Sequence, residues 1–211
     1  MKLYTYFRSS AAYRVRIALA LKGIAYEPVF VHLLRDGGAQ HRADYAALNP
    51  MQLVPTLVTD EGAVLTQSPA ILEWLEETHP TPALLPAAAL ERARVRAFAA
   101  AIACDIHPID NLRVLQYLKR EMGQDQAAID TWYRHWIDVA LPALEAMAQD
   151  GPFCFGAAPT LADICLVPQL FNARRYAIPL DAFPRLWRAD AACQALPAFQ
   201  QAAPAAQPDA A

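Results

Sequence analysis

Phe7-Arg8-Ser9-Ser10-Ala11-Ala12-Tyr13-Arg14-Val15-Arg16-Ile17-Ala18-Leu19 is the stretch on which the fold turns. It follows an apolar run, Leu3-Tyr4-Thr5-Tyr6, that reads as a first β-strand. Beyond it Tyr13, Ile17, Ala18 and Leu21 recur at helical spacing. A strand therefore passes abruptly into a helix, with Arg8, Ser9 and Ser10 at the turn. The free N–H groups and the positive dipole end of a helix start both favour an anion. A thiolate placed there would be stabilised, and Ser9 or Ser10 would donate a hydrogen bond to it. The same serine also suits an ordinary helix cap, so the motif alone leaves thiol activation and capping both open.

The rest of the chain sets the bounds. Its 211 residues suffice for one large domain or for two modest ones with their own cores. With 55% hydrophobic and 18% charged residues it reads as an ordered globular protein. A formal charge of −3 argues against general nucleic-acid binding. Apolar stretches are repeatedly broken by Arg, Asp or Pro, which argues against a membrane span. Met1-Lys2-Leu3 runs straight into the first strand, so no signal peptide is expected and the cytoplasm is the expected location. Cys104, Cys154, Cys165 and Cys193 are widely spaced, which suggests reduced and mostly buried thiols. The five histidines form no metal-ligating pattern, and neither a Walker loop nor GxGxxG occurs, so no metal or nucleotide is expected.

Two halves show different patterns. Residues 1–80 alternate strands and helices: Tyr26 to Val31 reads as a second strand, Arg42 to Ala47 as a short helical turn, and Val54 to Val58 as a third strand. Asp60-Glu61-Gly62 marks a turn before Ala63-Val64-Leu65. Ser68-Pro69 then opens a helix, with Ser68 as its expected cap and Ile71, Leu72 and Leu75 on its buried face. This is a small α/β domain. After the proline-punctuated linker His79 to Ala83, strand signals vanish, and residues 87–211 read as an all-helical domain. Long helical patterns cover 90–120 and 125–149, and two short helices are expected within 183–200. Thr160-Leu161-Ala162-Asp163 is a capping box, so Asp163 is assigned to folding and not to catalysis. The Ala- and Pro-rich segment from Ala202 to Ala211 is expected to fray or to lie over the surface.

This order of domains resembles the cytosolic glutathione transferases, and within them the zeta class. The resemblance rests on Tyr6-Phe7-Arg8-Ser9-Ser10, Arg14-Val15-Arg16-Ile17-Ala18-Leu19, Ala47-Leu48-Asn49-Pro50-Met51, Val54-Pro55-Thr56-Leu57, Gln67-Ser68 and Cys165-Leu166-Val167-Pro168-Gln169. It implies a thioredoxin-like first domain that binds glutathione, a helical second domain that completes the substrate site, and a homodimer in which Met51 is buried. The class includes maleylacetoacetate isomerases and bacterial maleylpyruvate isomerases. Its motif usually places a cysteine where this chain has Ala11. No role of that cysteine can operate here, although the bacterial maleylpyruvate isomerases also lack it.

The chemistry implied is rotation about the double bond of a maleyl keto acid, a small dicarboxylic substrate. A thiolate adds, the bond becomes single and rotates, and the thiolate leaves, so glutathione acts as a cofactor. Catalytic roles fall by resemblance to Ser9 as donor to the thiolate, with Ser10 in support and Arg8 beside them. Ser9, Ser10, Ala11, Gln40, Val54, Pro55, Gln67, Ser68, His107 and Asn111 are expected to contact glutathione. A cis Val54-Pro55 bond would turn the Val54 backbone toward its cysteinyl part. Gln67 and Ser68, at a helix start, would hold its γ-glutamyl carboxylate. Arg8, Arg113 and Arg175, with His107, would take the substrate, because a guanidinium offers paired donors and stays charged. Read without the resemblance, Gln40 is a solvated loop glutamine, the arginines are solvated helix residues and His107 is a helix-end histidine. Arg14 and Arg16 are read as partners in structural salt bridges.

Two other functions fit the same residues. One is a transferase or dehalogenase acting on small α-halo acids; the other is a non-catalytic binding protein on the same fold. Arg113 and residues 104–111 lean toward maleylpyruvate, whereas Ser10, Arg14-Val15-Arg16 and Asp36-Gly37-Gly38 lean toward maleylacetoacetate.

Overall fold

A computed structural model describes residues 1–210. Strand β1 (Lys2–Thr5) leads through the Tyr6–Ser9 turn into helix α1 (Ser10–Leu21). Next come strand β2 (Glu27–Phe30), the short α2 (Ala43–Leu48), the hairpin β3 (Thr56–Val58) and β4 (Val64–Thr66), and α3 (Ser68–Thr78). The sheet order is β2-β1-β3-β4. β1 pairs parallel to β2 and antiparallel to β3, with Leu3 opposite Leu57. Leu3, Val15, Ile17, Leu19, Leu57, Ile71 and Leu75 are buried, so α1 and α3 meet the sheet through their apolar faces. This mixed sheet with its helices is the thioredoxin-like arrangement expected for the first half.

The second half is helical: α4 (Ala89–Ala100), α5 (His107–Ile109), α6 (Leu112–Arg120), α7 (Gln126–Met147), α8 (Leu161–Arg175) and α9 (Pro184–Gln194). The single helix expected over 90–120 is interrupted. Ala101–Ile106 widens into a π turn, and Asn111 caps the new helix α6 by accepting from Arg113 N at 3.2 Å. Pro108 explains the break: its nitrogen has no hydrogen, and its ring excludes the carbonyl four residues earlier. Helix α8 is buried on nearly all sides, so it runs through the middle of this unit. The Thr160–Asp163 capping box forms as expected. Asp163 accepts from Cys154 N at 2.8 Å, Thr160 N at 2.8 Å and Thr160 Oγ1 at 3.0 Å, a folding role.

The chain divides into two compact units, Met1–Ala83 with Ala195–Ala211, and Leu84–Gln194. The last segment therefore groups with the α/β half and not with the helical half to which the sequence assigned it. Its helix α10 (Pro197–Ala202) packs on α1 with Phe199 fully buried. Residues 203–210 do not fray: Pro204–Ala206 and Pro208–Ala210 form two tight turns, while Ala211 lies outside the described residues. Gln207 braces them, its Nε2 donating to Gln201 O at 2.8 Å and Ala203 O at 3.1 Å. Among the described residues, no helix is long and apolar enough to cross a membrane.

Candidate functional site

The Tyr6–Ser10 turn lies between β1 and α1. Ser9 N donates to Tyr6 O at 3.0 Å, and Ser9 is the N-cap of α1, its Oγ accepting from Ala12 N at 3.2 Å. The two readings of this serine are thus compatible. Its oxygen is used by the cap, while its O–H hydrogen remains available to a ligand at the helix start. Ser10 is the first residue of α1 and is buried; Arg8 is half-buried, its guanidinium 5.9 Å from the Phe7 ring centre.

The salt-bridge reading of Arg16 is corrected by the structure. Fully buried, it donates to Thr5 Oγ1 at 3.0 Å, Tyr6 O at 3.2 Å, Phe7 O at 2.9 Å and Ala202 O at 3.0 Å. All four acceptors are neutral. Burial lowers its pKa to about 10, which leaves it charged at neutral pH. Arg14, equally buried, donates from Nη1 to Ser68 Oγ at 3.3 Å.

That bond also corrects the reading of Ser68 as a cap. The N-cap of α3 is Gln67, held at φ 67° with no side-chain cap bond, and Ser68 is the first helical residue. A non-glycine residue in the left-handed region is strained, and such strain clusters at ligand sites. Because Ser68 Oγ accepts from Arg14, its hydroxyl hydrogen points elsewhere as a donor.

Tyr6, Val31, Tyr45 and Val54 form one apolar cluster with Phe7 and Leu33 packed against it. This brings the serine turn and the loop before β3 together. The Val54-Pro55 bond is cis, as expected, and so is Thr81-Pro82. Tyr45 Oη and Asn49 Nδ2 both donate to Leu53 O, at 2.6 and 2.7 Å, and hold the loop from below. Among the described residues neither the N–H nor the C=O of Val54 is taken up by another backbone group. It is an open edge for an extended ligand. Gln40 is buried rather than solvated, folded over Gly38 so closely that a Cβ there would lie 2.5 Å from its Nε2. Its Nε2 donates to Leu33 O at 3.3 Å, and its Oε1 is buried without a partner.

In the second unit, His107, Asn111 and Arg113 are strung across the break between the π turn and α6. Arg113 is exposed and Asn111 half-buried. Arg175, at the end of α8, donates to Asn172 Oδ1 at 3.1 Å and lies 5.6 Å from the Tyr176 ring centre. Its neighbour Arg174 is bound instead to the buried carboxylate of Asp190. Among the described residues, none of Arg8, Arg113 and Arg175 is paired with a carboxylate, which leaves each able to take an acid group from a ligand.

One residue of this stretch escaped the sequence reading. Asp110 is 7% exposed, its carboxyl oxygens have no hydrogen-bond partner, and burial pushes its pKa up to about 8. Nothing in the sequence distinguishes it from a solvated helix-end aspartate. Raised above its ordinary 3.8, the folded-state pKa means that the folded chain keeps a proton the unfolded chain releases. Stability is then lost as pH rises from the lower value through the upper one. Asp110→Asn removes that ionisation, so its melting temperature relative to the parent should be higher at pH ~8 than at pH ~5. Thermal melts at both pH values check this, and an equal difference at both would refute it.

Cys104 is exposed, whereas the other three thiols are shut away from a substrate. Cys154, Cys165 and Cys193 are buried, as expected, and burial beside Asp163 pushes the Cys154 and Cys193 thiols far up. Among the described residues no three His, Cys, Asp or Glu side chains are grouped to hold a metal ion.

Residues 8–78 match the N-terminal domain family of the glutathione S-transferases, and residues 130–189 match its C-terminal domain family. A maleylacetoacetate isomerase of Pseudomonas aeruginosa is 52% identical over 209 residues, 99% of this chain and 98% of the relative. A solved maleyl pyruvate isomerase, a bacterial glutathione S-transferase of the zeta class, superposes with a TM-score of 0.96 at 52% identity over 100% of both chains. A maleylacetoacetate isomerase from Anaeromyxobacter dehalogenans, solved with glutathione in its active site, gives 0.88 at 48% identity over 100% of this chain and 97% of that one.

Proposed function

We propose that this chain, which belongs to the glutathione S-transferases, is a glutathione-dependent cis–trans isomerase of a maleyl keto acid, either maleylacetoacetate or maleylpyruvate. The observation that carries the reading is Ser9: its cap bond occupies the hydroxyl oxygen and leaves the hydrogen free at a helix start. The residues present fit glutathione on three further counts. Val54 offers an unused backbone edge, Gln67 is strained, and the Ser68 hydroxyl is turned into a donor by Arg14.

Val54 holds the cysteinyl backbone, Gln67 and Ser68 hold the γ-glutamyl carboxylate, and Gln40, Pro55, His107 and Asn111 complete the binding set. Bound glutathione supplies the thiolate that adds reversibly to the substrate double bond and so permits rotation. Ser9 donates its hydroxyl hydrogen to that sulfur, with Ser10 and the N–H groups of α1 behind it, which favours thiolate over a thiol that ordinarily titrates near ~8.5. The Ala11 side chain donates nothing, so the side-chain work falls to the serines. Arg8, Arg113 and Arg175 hold the carboxylates of the substrate, and His107 donates to charge that develops on it. Met1–Ala83 with the C-terminal segment is the glutathione-binding domain, and Leu84–Gln194 completes the substrate site. The protein works in the cytoplasm as a homodimer, which would cover Met51, now 55% exposed.

The test is an absorbance assay of maleylpyruvate and of maleylacetoacetate, each with and without glutathione. Glutathione-dependent loss of one signal establishes the activity and names the substrate. Turnover of neither, with glutathione bound, refutes the isomerase and favours a transferase acting on α-halo acids. Arg8→Ala and Arg175→Ala should each raise KM for the keto acid by about tenfold or more, since a hydrogen bond to a charged group contributes roughly 1.5–3 kcal/mol. Initial rates across substrate concentration, with glutathione Kd measured separately, check this. A matching loss of glutathione affinity would refute these roles.

A further inference from the structure

Residue 209 touches the serine turn from the far end of the chain. Asp209 Oδ2 accepts from Phe7 N at 2.9 Å, across 202 residues of sequence. The other side of the same residue is held by Arg16, whose Nη2 donates to Phe7 O at 2.9 Å. Arg16 in turn grips the end of α10 through Ala202 O at 3.0 Å and the turn itself through Tyr6 O at 3.2 Å. Both backbone polar groups of Phe7 are thus fixed, one by the C-terminal segment directly and one by an arginine that the segment helps to hold. Phe7 immediately precedes Arg8 and lies two residues before Ser9. The segment is itself braced, by two proline-initiated turns and by Gln207.

We propose that the C-terminal segment is a working part of the thiolate-binding turn, with Asp209 as the positioning residue that sets Phe7 and, through it, the placement of Arg8 and Ser9. The inference rests on the proposed function of that turn. Asp209 touches no reacting atom and acts only by fixing the backbone. A donor displaced by a fraction of an ångström stabilises a thiolate less well, and misplacement of about 1 Å costs roughly a hundredfold in rate.

The test compares the full-length parent, Asp209→Ala and Asp209→Asn. Each is measured for kcat, for KM of glutathione, and for the pH titration of the bound thiolate by its ultraviolet absorbance. The alanine variant should lose about tenfold in kcat, a tenth of the full misplacement cost, with its thiolate titration moved to higher pH and its KM for glutathione little changed. The asparagine variant keeps a carbonyl oxygen for Phe7 N and should recover most of the kcat and the parent titration. A merely structural contact would lower the melting temperature without moving the thiolate titration, and that result overturns the proposal. So does an asparagine variant as impaired as the alanine one. Should the alanine variant not fold, Asp209→Ser, too short to reach Phe7 N, is read in its place. A parent that isomerises neither keto acid refutes the proposed function alone, because the thiolate titrations of the variants still decide the role of Asp209.

Discussion

Replacing Ser9 with alanine is expected to lower kcat by about two to three orders of magnitude while leaving the Kd for glutathione within about threefold. The size comes from the removal of one preorganised donor aimed at a developing or resident anion. The selectivity comes from the division of labour in the first unit. Val54, Gln67 and Ser68 lie on the loop before β3 and at the start of α3, so in their proposed roles they would still bind the peptide when the donor to sulfur is gone. The variant also loses the cap bond to Ala12 N, worth about 1 kcal/mol, so a small fall in melting temperature accompanies the loss of rate. Steady-state kinetics with calorimetric glutathione binding decide the matter. A Kd that worsens as much as kcat would mean that Ser9 binds rather than activates, and unchanged kcat would remove it from the chemistry.

The second large effect is on stability. Arg16→Met should cost about 3 kcal/mol or more and lower the melting temperature by roughly 10 °C. The guanidinium is the donor to Thr5 Oγ1, Tyr6 O, Phe7 O and Ala202 O. Methionine fills most of the volume but donates nothing, so Thr5 Oγ1, Phe7 O and Ala202 O lose their partner, at about 1–3 kcal/mol for each one left unsatisfied, while Tyr6 O keeps the Ser9 N–H. The relief of no longer burying a cation offsets part of this. Burial draws the pKa of Arg16 down to about 10, which is the direction of that relief. Urea or thermal unfolding checks the prediction, and a melting temperature within about 2 °C of the parent would refute it.

What was legible in the sequence was local. The strand-to-helix turn at Ser9, the βαβ order and the Thr160–Asp163 capping box are each specified within a few residues, by period and by cap chemistry. The resemblance supplied the cis Val54-Pro55 bond, which no local pattern distinguishes from a trans one. Missed features depend on contacts between distant residues or on competition between neighbours. Ser68 is a good cap by type, yet Gln67 took the N-cap position and Arg14 the serine hydroxyl. Arg16 was expected to meet a carboxylate but meets backbone carbonyls that only the folded turn presents. The helical pattern over 90–120 hid the interruption, because the apolar period continues through a π turn. The Ala- and Pro-rich end carries no period, and the bond that gives it meaning joins Asp209 to Phe7.

The order in which the chain is synthesised gives the division into units a further consequence. Leu84–Gln194 is contiguous, so it can reach its final packing while the ribosome is still adding residues. The α/β unit cannot, since α10 and Asp209 follow Leu84–Gln194 in the chain and Met1–Ala83 must wait for them. Residues made before that helical unit are therefore finished after it, and a nascent chain released short of Asp209 leaves the ribosome with Phe7 N unclaimed.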